Sequence, residues 1–251
     1  MKISIVVPAI RKELWENFYN SIANSFHGEW ELILIGPYQP DFQKDNMRWI
    51  EDWGCPTRCQ QIGILEAKGE WICFGWDDGI FQNDSLDKYY SCLSDYKDYK
   101  TAVSGRYTEG TQSIGYMLCD DYYKIKTHEQ AQSPYISGDS IIFNTGFVST
   151  KLLKEIGGMD CRFETTGLAC LDLSIRLQLY GVKIILGEGL LLTCSWLPGN
   201  EGDHEPVNKA FFQADMPYYN KKYKSPEFKN EIIIPLDNWK QALEKWERRF
   251  K

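Results

Sequence analysis

Short apolar runs that alternate with amphipathic stretches dominate the first third of this 251-residue chain. Residues 3–7 and 31–35 are rich in aliphatic and β-branched residues, and each run ends at a proline or glycine breaker. Residues 14–26 and 57–68 carry apolar residues at helical spacing. Strands that alternate with helices are joined by βαβ crossovers, so this part of the chain predicts a mostly parallel α/β sheet with helices on both faces.

A third apolar run, residues 69–78, stops abruptly at two adjacent carboxylates, Asp77 and Asp78. In open α/β sheets, ligands bind at the carboxyl ends of the strands, so an acidic pair there indicates a divalent cation and a phosphorylated ligand. The same tetrapeptide, Trp-Asp-Asp-Gly, is also typical of an ordinary surface turn. The surrounding chain has to distinguish the two interpretations.

The rest of the chain is less regular. Its predicted strands are residues 102–105, 140–143, 182–186 and 190–193, and its predicted helices are residues 84–93, 151–156, 169–180, 207–219 and 238–250. Residues 107–137 show little periodicity, and so long a connection inside a compact domain is usually functional. We expect one domain over residues 1–204 and a C-terminal helical extension, residues 205–251, that packs on it.

The charge and composition argue against several classes of protein. With 28 basic and 35 acidic residues, the net charge of -7 disfavours binding to nucleic acid or to an anionic membrane surface. No apolar run approaches the roughly 20 residues of a transmembrane segment, and the first apolar run is too short for a signal peptide. We therefore expect a cytoplasmic protein whose 8 cysteines are reduced thiols, and the sequence leaves its oligomeric state open.

Five motifs occur in order over residues 1–190. They are a first strand that enters Pro-Ala, a helix that ends Glu-Ala-Lys-Gly-Glu-Trp-Ile, the acidic strand end, then Gly-Gly-Met-Asp and Asp-Leu-Ser-Ile-Arg-Leu. In this order they resemble the family-2 glycosyltransferases of the GT-A fold, a Rossmann-like architecture. The resemblance implies a hexosyltransferase-like enzyme of polysaccharide biosynthesis. Such an enzyme moves a sugar from a nucleoside diphosphate donor to a glycan or lipid-linked acceptor, and we expect inversion at the anomeric carbon.

The resemblance implies donor contacts from the ends of the first two strands. The turn after the first strand, here Pro8, Ala9 and Arg11, would pack against the nucleotide. A guanidinium suits phosphate oxygens because its planar fork donates two parallel hydrogen bonds. Where the family commonly ends its second strand in an acid, this chain has Gly-Pro followed by Tyr38, whose ring would stack on the base. The identity of the base stays open.

The helix before the acidic strand end usually begins with Ala-Arg-Asn in this family. Aligned from Gly63, this chain has Cys-Gln-Gln at those positions. Gln61 would keep the amide, and Arg58, one position upstream, would replace the lost cation.

At the acidic strand end the family has Asp-X-Asp, and here Trp76, Asp77 and Asp78 occupy those positions. The first acid is therefore missing, and Trp76 lies on the donor side. The resemblance implies that Asp78 binds Mn²⁺ or Mg²⁺ together with donor diphosphate oxygens, and that Asp77 adds a second metal contact or holds the sugar. A cation at this position neutralises the departing nucleoside diphosphate.

An inverting transferase also needs a carboxylate that takes the proton from the attacking hydroxyl. The family's acidic pair aligns with Ala-Cys in one register and with Asp172 in another, so Asp172 is the first candidate and Glu164 the second. Asp172 is equally compatible with a first-turn helix acid stabilised by the helix macrodipole. His204, in a polar loop, is a candidate metal ligand on a lid that orders over the donor.

The Tyr-rich stretch 107–135 would shape the acceptor side, because aromatic faces pack against sugar C–H surfaces.

Two rivals to a glycosyltransferase remain. The missing first acid and the ambiguous base also favour a catalytically inactive protein that binds a nucleotide or a sugar. A nucleotidyltransferase has a similar sheet, but its phosphate loop is rich in glycine, and residues 8–12 contain none.

Overall fold

The computed structural model describes residues 2–94, 99–109, 143–194, 204–224, 231–242 and 245–246, together with the backbone of 117–118, 124–125 and 140–141. The strands in the first third of the chain are β1 (Ile3–Pro8), β2 (Trp30–Gly36), β3 (Met47–Glu51), β4 (Trp71–Phe74) and β5 (Gly79–Phe81). The helices there are α1 (Trp15–Ser25), α2 (Pro56–Glu66) and α3 (Ser85–Ser94), with a 3₁₀ turn at Lys12–Leu14.

The later strands are β6 (Thr101–Glu109), β7 (Met117–Leu118), β8 (Lys124–Ile125), β9 (Ser140–Ile141), β10 (Gly146–Ser149) and β11 (Lys183–Cys194). The later helices are α4 (Thr150–Glu155), α5 (Thr166–Leu179), α6 (His204–Ala210) and α7 (Met216–Lys224). A π-helical turn (Phe211–Asp215) joins α6 to α7, and a 3₁₀ turn (Asn238–Gln241) follows.

One large sheet has the strand order β3-β2-β1-β4-β10-β6-β11-β5, with β7 paired to β6. Strands β3, β2, β1 and β4 run parallel, β10 runs antiparallel between β4 and β6, and β11 runs parallel to β6. Strands β8 and β9 form a separate pair. The α/β architecture expected from the sequence is therefore confirmed.

The parallel half of the sheet is buried on both faces. Val6 of β1 packs in a hydrophobic cluster with residues of α2 and α5, whereas its neighbour Ile5 packs in a second cluster with residues of α1 and α3. Successive side chains of a strand point to opposite faces, so a strand covered on both sides needs a continuous apolar run. That requirement explains why residues 3–7 and 31–35 predicted these strands.

The register places the carboxyl ends of the four parallel strands side by side. Ile50 of β3 pairs with Ile35 of β2, Ile35 pairs with Pro8 of β1, and Val6 pairs with Phe74 of β4. The loops that follow β3, β2, β1 and β4 therefore share one edge of the sheet. We call this the carboxyl edge.

The structure has one strand in the parallel half that the sequence patterns did not predict. Strand β3 lies at the margin of the sheet and is only partly buried, so its apolar pattern is weak. Arg48 interrupts that pattern because its guanidinium pairs with Glu31 of β2, with Nη2 and Oε2 2.9 Å apart. Conversely, the two late strands predicted at 182–186 and 190–193 form the single irregular strand β11.

The C-terminal segment differs from the helix expected over residues 238–250. Among residues 238–242, which the structure describes, a 3₁₀ turn forms instead of an α-helix, and Ala242 has extended backbone with φ -77° and ψ 153°. The carbonyl of Trp239 accepts hydrogen bonds from the Ala242 N–H at 3.1 Å and from Nη1 of Arg58 at 2.7 Å. Contacts with α2 thus replace the local helix. Residues 243–244 and 247–251 lie outside the described residues.

The sequence predicted reduced thiols, and it contained no apolar run long enough for a transmembrane segment. All seven cysteines that the structure describes carry free thiols. Burial raises the pKa of Cys55, Cys73 and Cys170 to about 12, so these thiols stay protonated at neutral pH. Nowhere in the described part of the chain is a helix both long and apolar enough to span a bilayer.

Candidate functional site

Strand β4 brings the acidic pair to the carboxyl edge. Beyond Phe74 the chain turns sharply, and the Gly79 N–H donates to the carbonyl of Trp76 with an N···O distance of 2.9 Å. The Gly75 N–H donates to the carbonyl of Val6 in β1 at 3.0 Å. We call residues 75–78 the acidic turn. It lies directly against the end of β1.

The carboxylate of Asp77 accepts hydrogen bonds from the loop that follows β1. Its Oδ2 accepts the main-chain N–H groups of Ile10 and Arg11, both at 2.7 Å, and its Oδ1 lies 2.5 Å from Nη1 of Arg11. The indole N–H of Trp15 lies 3.4 Å from the same Oδ2. Only 3% of Asp77 is exposed. These charge-assisted bonds tie the β1 loop to β4 and fix the position of Arg11.

Asp78 lies beside Asp77 and is largely buried. Its Oδ1 is 3.6 Å from Nη1 of Arg11, so one guanidinium balances two adjacent carboxylates. Two negative charges and one positive charge leave a net negative charge among these three groups. A divalent cation bound beside them would offset this charge.

The donor set at the acidic turn fits a hard divalent cation that shares its coordination with a ligand. Carboxylate oxygens suit Mg²⁺ and Mn²⁺, and Mg²⁺ is commonly bound by one or two carboxylates together with substrate phosphates and water. Within the described residues, the single group of three possible ligands close enough to share an ion is His27, Asp84 and Asp87. That group does not include Asp78, so a cation at the acidic turn would need oxygens from a bound ligand.

A pocket opens across the ends of β1, β2 and β3 and the start of α2. Its empty space, counted together with the open solvent at its mouth, is about 290 Å³. Its lining residues, which are mostly apolar, are Pro8, Ala9, Ile10, Ile35, Gly36, Pro37, Asp52, Gly54, Pro56 and Cys59. Among the described residues that line it, Asp52 alone has a charged side chain. Ile10 connects this pocket to the acidic turn, because its N–H donates to Asp77.

Arg58 was expected to contact the nucleotide-sugar donor, but its guanidinium is bonded to other parts of the protein. Its Nε and Nη2 donate to the Asp52 carboxylate at 3.0 and 2.9 Å, and its Nη1 donates to the Trp239 carbonyl at 2.7 Å. The guanidinium also lies 4.7 Å from the centroid of the Trp239 ring. With 4% of its surface exposed, Arg58 joins the end of β3 to the C-terminal segment.

Gln61, the other residue of α2 that was expected to contact the nucleotide-sugar donor, is completely buried. Its Nε2 donates to the carbonyls of Gly157 at 3.0 Å and Leu236 at 2.9 Å, and its Oε1 accepts from the Met159 N–H at 2.7 Å. The side chain therefore joins the loop after α4 to the C-terminal segment. In the described structure no part of its amide faces the pocket opening.

Two aromatic pairs lie near the carboxyl edge. Tyr38, after β2, is 40% exposed and makes an edge-to-face contact with Trp53, with ring centroids 6.2 Å apart. Trp76 of the acidic turn packs against Tyr107 of β6, with centroids 4.7 Å apart. Tyr38 and Trp53 offer aromatic surface beside the pocket, as a base-stacking role would require.

Asp172, the first candidate for the base, lies in a buried ionic network. Its Oδ2 lies 2.7 Å from Nε of Arg176, and its Oδ1 accepts from Nζ of Lys222 and from the hydroxyl of Tyr223, both at 2.5 Å. Asp172 has 0% exposure. In this structure its carboxylate has no surface at which an acceptor hydroxyl would meet it, and it joins α5 to α7 instead.

Glu164, the second candidate, keeps part of its surface exposed. Its Oε2 accepts from the indole N–H of Trp246 at 2.5 Å, and its main-chain N–H donates to the buried Asp215 at 2.8 Å. Asp215 also accepts from the N–H and hydroxyl of Thr165, at 2.9 and 2.5 Å. These hydrogen bonds fix the start of α5. Glu164 lies on the exposed side of this helix start.

The remaining expected site residues fall at the limits of the described structure. His204 is the first residue of α6, and its side chain lies outside the described residues. The loop that precedes it, residues 201–203, and most of the Tyr-rich stretch 107–135 also lie outside them. Tyr107 itself is buried, and its hydroxyl accepts a hydrogen bond from Nδ2 of Asn144 at 3.2 Å.

Two residues of the pocket region, Asp52 and Trp53, were absent from the expected site. Both follow β3, the strand that the apolar pattern did not reveal. The signal that was available is the position of Asp52 directly before Trp53-Gly54, since an acid and a glycine after a strand resemble the acidic turn after β4.

Comparison of the fold with solved structures identifies a glycosyltransferase, TarS of S. aureus. The crystal structure of TarS 1–349 in complex with UDP has a TM-score of 0.57 and 13% identity, over 90% of this chain and 68% of that chain. A second structure of TarS 1–349 gives 0.58 and 15%, over 95% and 71%. The complex with UDP-GlcNAc gives 0.53 and 15%, over 79% and 60%. No protein-family model and no curated protein matches the sequence. The chain thus has a GT-A-like glycosyltransferase fold.

Proposed function

We propose that this protein is a metal-dependent, inverting glycosyltransferase that transfers a hexosyl group from a UDP-sugar to a glycan or lipid-linked acceptor. The observation that carries the proposal is the continuity of the carboxyl edge. The mostly apolar pocket at β1, β2 and β3 is joined to the acidic turn by Ile10, whose N–H donates to Asp77 at 2.7 Å. A nucleoside diphosphate sugar has the same order of parts, a flat base at one end and a charged diphosphate further along.

The choice of UDP is supported by the fold. TarS, whose fold this chain shares, has been crystallised with UDP and with UDP-GlcNAc. In α/β sheets of this kind the ligand lies outside the carboxyl ends of the strands, which is where the pocket and the acidic turn lie. Tyr38 and Trp53 add exposed aromatic surface beside the pocket for stacking on the base or ribose.

The charged residues of the acidic turn suit the loss of a diphosphate leaving group. We propose Asp78 as the carboxylate that holds Mn²⁺ or Mg²⁺, with His204 as a further candidate ligand. The bound cation would stabilise negative charge that develops on the leaving diphosphate. Arg11 is positioned by Asp77 and lies within 3.6 Å of both carboxylates. From this position its guanidinium would donate to a phosphate oxygen of the bound diphosphate.

For the general base we favour Glu164 over Asp172. A base must come within hydrogen-bond reach of the acceptor hydroxyl, which requires an exposed carboxylate. Glu164 is partly exposed, whereas Asp172 has no exposed surface and is bonded to Arg176, Lys222 and Tyr223.

Nucleotide binding and turnover test the proposal directly. Because a ligand that binds only the native state stabilises it, UDP at 100 times its Kd should add about 2.7 kcal/mol and raise Tm by about 5–10 °C in the presence of Mn²⁺. The shift should be smaller in EDTA. The protein should then release UDP from at least one member of a panel of UDP-hexoses, with or without oligosaccharide acceptors. Absence of any Mn²⁺-dependent shift with UDP would remove the proposed donor site.

A second candidate function is an inactive protein that binds a nucleotide sugar. It is favoured by the burial of Asp172 and by the engagement of the Asp77 carboxylate with the β1 loop. Both candidates predict UDP binding with Mn²⁺, so turnover distinguishes them. Tight Mn²⁺-dependent UDP binding without UDP release from any sugar of the panel would favour the inactive protein.

A further inference from the structure

We infer that Trp246 is a positioning residue of the proposed reaction, which holds the carboxylate of Glu164 in place to take a proton from the acceptor hydroxyl. The inference rests on the proposed function, since Glu164 is the general base favoured there. It brings into the site a residue of the C-terminal segment, 82 positions further along the chain than Glu164.

The indole of Trp246 makes a charge-assisted hydrogen bond to Glu164. Its N–H donates to Oε2 with an N···O distance of 2.5 Å. Hydrogen bonds to an ionised group are shorter and roughly twice as strong as bonds between neutral groups. Because an indole nitrogen donates one proton and accepts none, it is a natural partner for an ionised carboxylate. The bond restrains a side chain that is partly exposed and would otherwise sample several rotamers.

Trp246 is itself held firmly by the fold. It is 1% exposed and belongs to a small hydrophobic cluster with Cys55, just before α2, and Ala210, at the end of α6. Its main-chain N–H donates to the carbonyl of Trp53 at 2.7 Å. Trp53 directly follows Asp52, which lines the pocket. Trp246 therefore joins Glu164 to the loop that borders the proposed nucleotide site.

The main chain of Glu164 is also restrained on both sides. Its N–H donates to Asp215 at 2.8 Å, and its carbonyl lies 3.4 Å from the N–H of Thr57 in α2. Asp215 is completely buried and ends the π-helical turn, a feature that is frequent at functional sites. Together with Trp246, these contacts hold one partly exposed glutamate at three points. A general base needs such support, because its position must be correct to within about 0.5 Å.

The chemistry explains why the orientation of this carboxylate matters. As the acceptor oxygen bonds to the anomeric carbon, its O–H bond breaks and the proton moves to an oxygen of Glu164. The bond between the anomeric carbon and the diphosphate oxygen breaks at the same time, and UDP leaves with that electron pair. The carboxylic acid formed on Glu164 later returns its proton to water. A misplacement of about 1 Å in such a step can cost about 100-fold in rate.

The first test is Trp246→Phe, which keeps an aromatic ring and removes the N–H donor. With Mn²⁺ and the UDP-hexose and acceptor that turn over fastest, we expect kcat to fall about 10-fold or more. The Kd of UDP should stay within about 2-fold of wild type, because the lost contact acts only in the transition state. Tyr19→Phe is the matched control, since it also removes one ring donor, whose acceptor is Oδ1 of Asn46 at 2.6 Å. It should leave kcat unchanged.

The outcomes of this test separate the inference from the proposed function. An unchanged kcat in Trp246→Phe would overturn the inference alone. So would a parallel loss of kcat and UDP affinity, which would show that Trp246 only supports the fold. A wild-type protein that releases no UDP from any sugar would overturn the proposed function, and the inference with it.

A double substitution tests whether Trp246 acts through Glu164. Once Glu164→Gln has removed the base, the further change Trp246→Phe should lower the residual kcat by less than about 3-fold, because both residues serve one step. Losses that multiply in the double variant would contradict this coupling. Wild-type kcat in Glu164→Gln would remove the base and its positioning residue together.

A spectroscopic test needs no variant of Trp246, so it stands even if Trp246→Phe does not fold. The ¹⁵N-labelled chain has 9 tryptophans, each with one indole N–H resonance. In Glu164→Gln the charge-assisted bond becomes a neutral one, so one of these resonances should move far more than the others. If none of them moved, the hydrogen bond from Trp246 to Glu164 would be absent in solution, and the inference would be wrong.

Discussion

Oδ2 of Asp77 accepts the main-chain N–H of Arg11 at 2.7 Å, while Oδ1 accepts from the guanidinium of the same arginine at 2.5 Å. One carboxylate thus holds both the backbone and the side chain of Arg11. This engagement indicates a positioning role for Asp77, in which it supports the β1 loop, and leaves Asp78 as the acid better placed to meet a cation.

Substitution of Asp77 separates these two roles. We expect Asp77→Ala to lower the free energy of unfolding by about 1–3 kcal/mol, because buried N–H groups of the β1 loop lose their acceptor. UDP affinity should fall by the same factor in Mn²⁺ and in EDTA, as measured by calorimetry, because Arg11 is no longer positioned. Asp41→Ala is the control, since Asp41 pairs with Lys12 at the exposed surface. A loss of affinity confined to Mn²⁺ would instead make Asp77 a metal ligand.

Substitution of Asp78 should have the opposite signature. Asp78 makes a longer contact with Arg11, at 3.6 Å, than Asp77 does. We expect the Asp78→Asn variant to fold, because the amide keeps the size of the side chain and removes only its charge. It should bind UDP normally in EDTA but lose the increase in affinity that Mn²⁺ provides. Wild-type UDP affinity of this variant in Mn²⁺ would contradict the metal assignment.

The fold and the position of the acidic turn were predictable because they follow from local patterns. Strands buried on both faces need continuous apolar runs, and such runs mark β1, β2 and β4. Ligands of α/β sheets bind at the strand ends, so the place of Asp77 and Asp78 followed from the place of the strand. Strand β3 was not predicted, because a strand at the margin of the sheet needs no continuous apolar run. Asp52, which follows β3, was therefore not predicted as a residue of the pocket.

The partners of the polar side chains were not predictable in the same way. Gln61 bonds to Leu236 and Arg58 to Trp239, across 175 and 181 residues of sequence. No local pattern indicates that the C-terminal segment returns to α2. A buried polar group must find a partner, but the sequence does not specify which one. The sequence around an arginine or glutamine near a ligand site is therefore the same whether its side chain binds the ligand or another part of the protein.

Substitution of Asp172 tests whether this acid is structural. Its removal would leave the buried Arg176 without its carboxylate partner and would leave Lys222 paired with Asp160 but not with Asp172. Breaking a buried ion pair in this way costs about 3–5 kcal/mol, so we expect Asp172→Ala to lose that much stability in urea unfolding. Asp237→Ala is the control, because Asp237 pairs with Lys240 at the exposed surface and should cost under about 1 kcal/mol. Wild-type stability with loss of transfer would restore Asp172 as the base.

The pH dependence of stability should reveal the neighbouring acid, Asp160. Burial raises its pKa, but hydrogen bonds from Arg162 and the charge of Lys222 outweigh burial and hold the pKa well below its usual value. Because the pKa is lower in the folded protein than in the unfolded chain, Asp160 contributes stability above about pH 4 that is lost as the pH falls further. The loss approaches about 1.4 kcal/mol for each pH unit while only the unfolded chain takes up the proton.

Lys222→Met makes that pH dependence testable. Without the ammonium, which lies 2.8 Å from Oδ2, the pKa of Asp160 in the folded protein should rise towards its value in the unfolded chain. The folded variant then takes up a proton as well, so its stability falls less steeply with decreasing pH. In urea unfolding, the stability gap between wild type and Lys222→Met should be large at pH 7 and narrower at pH 3. Lys209→Met, which removes an exposed partner of Glu205, should show almost no gap at either pH. A gap for Lys222→Met that is equal at pH 7 and pH 3 would contradict a depressed pKa for Asp160.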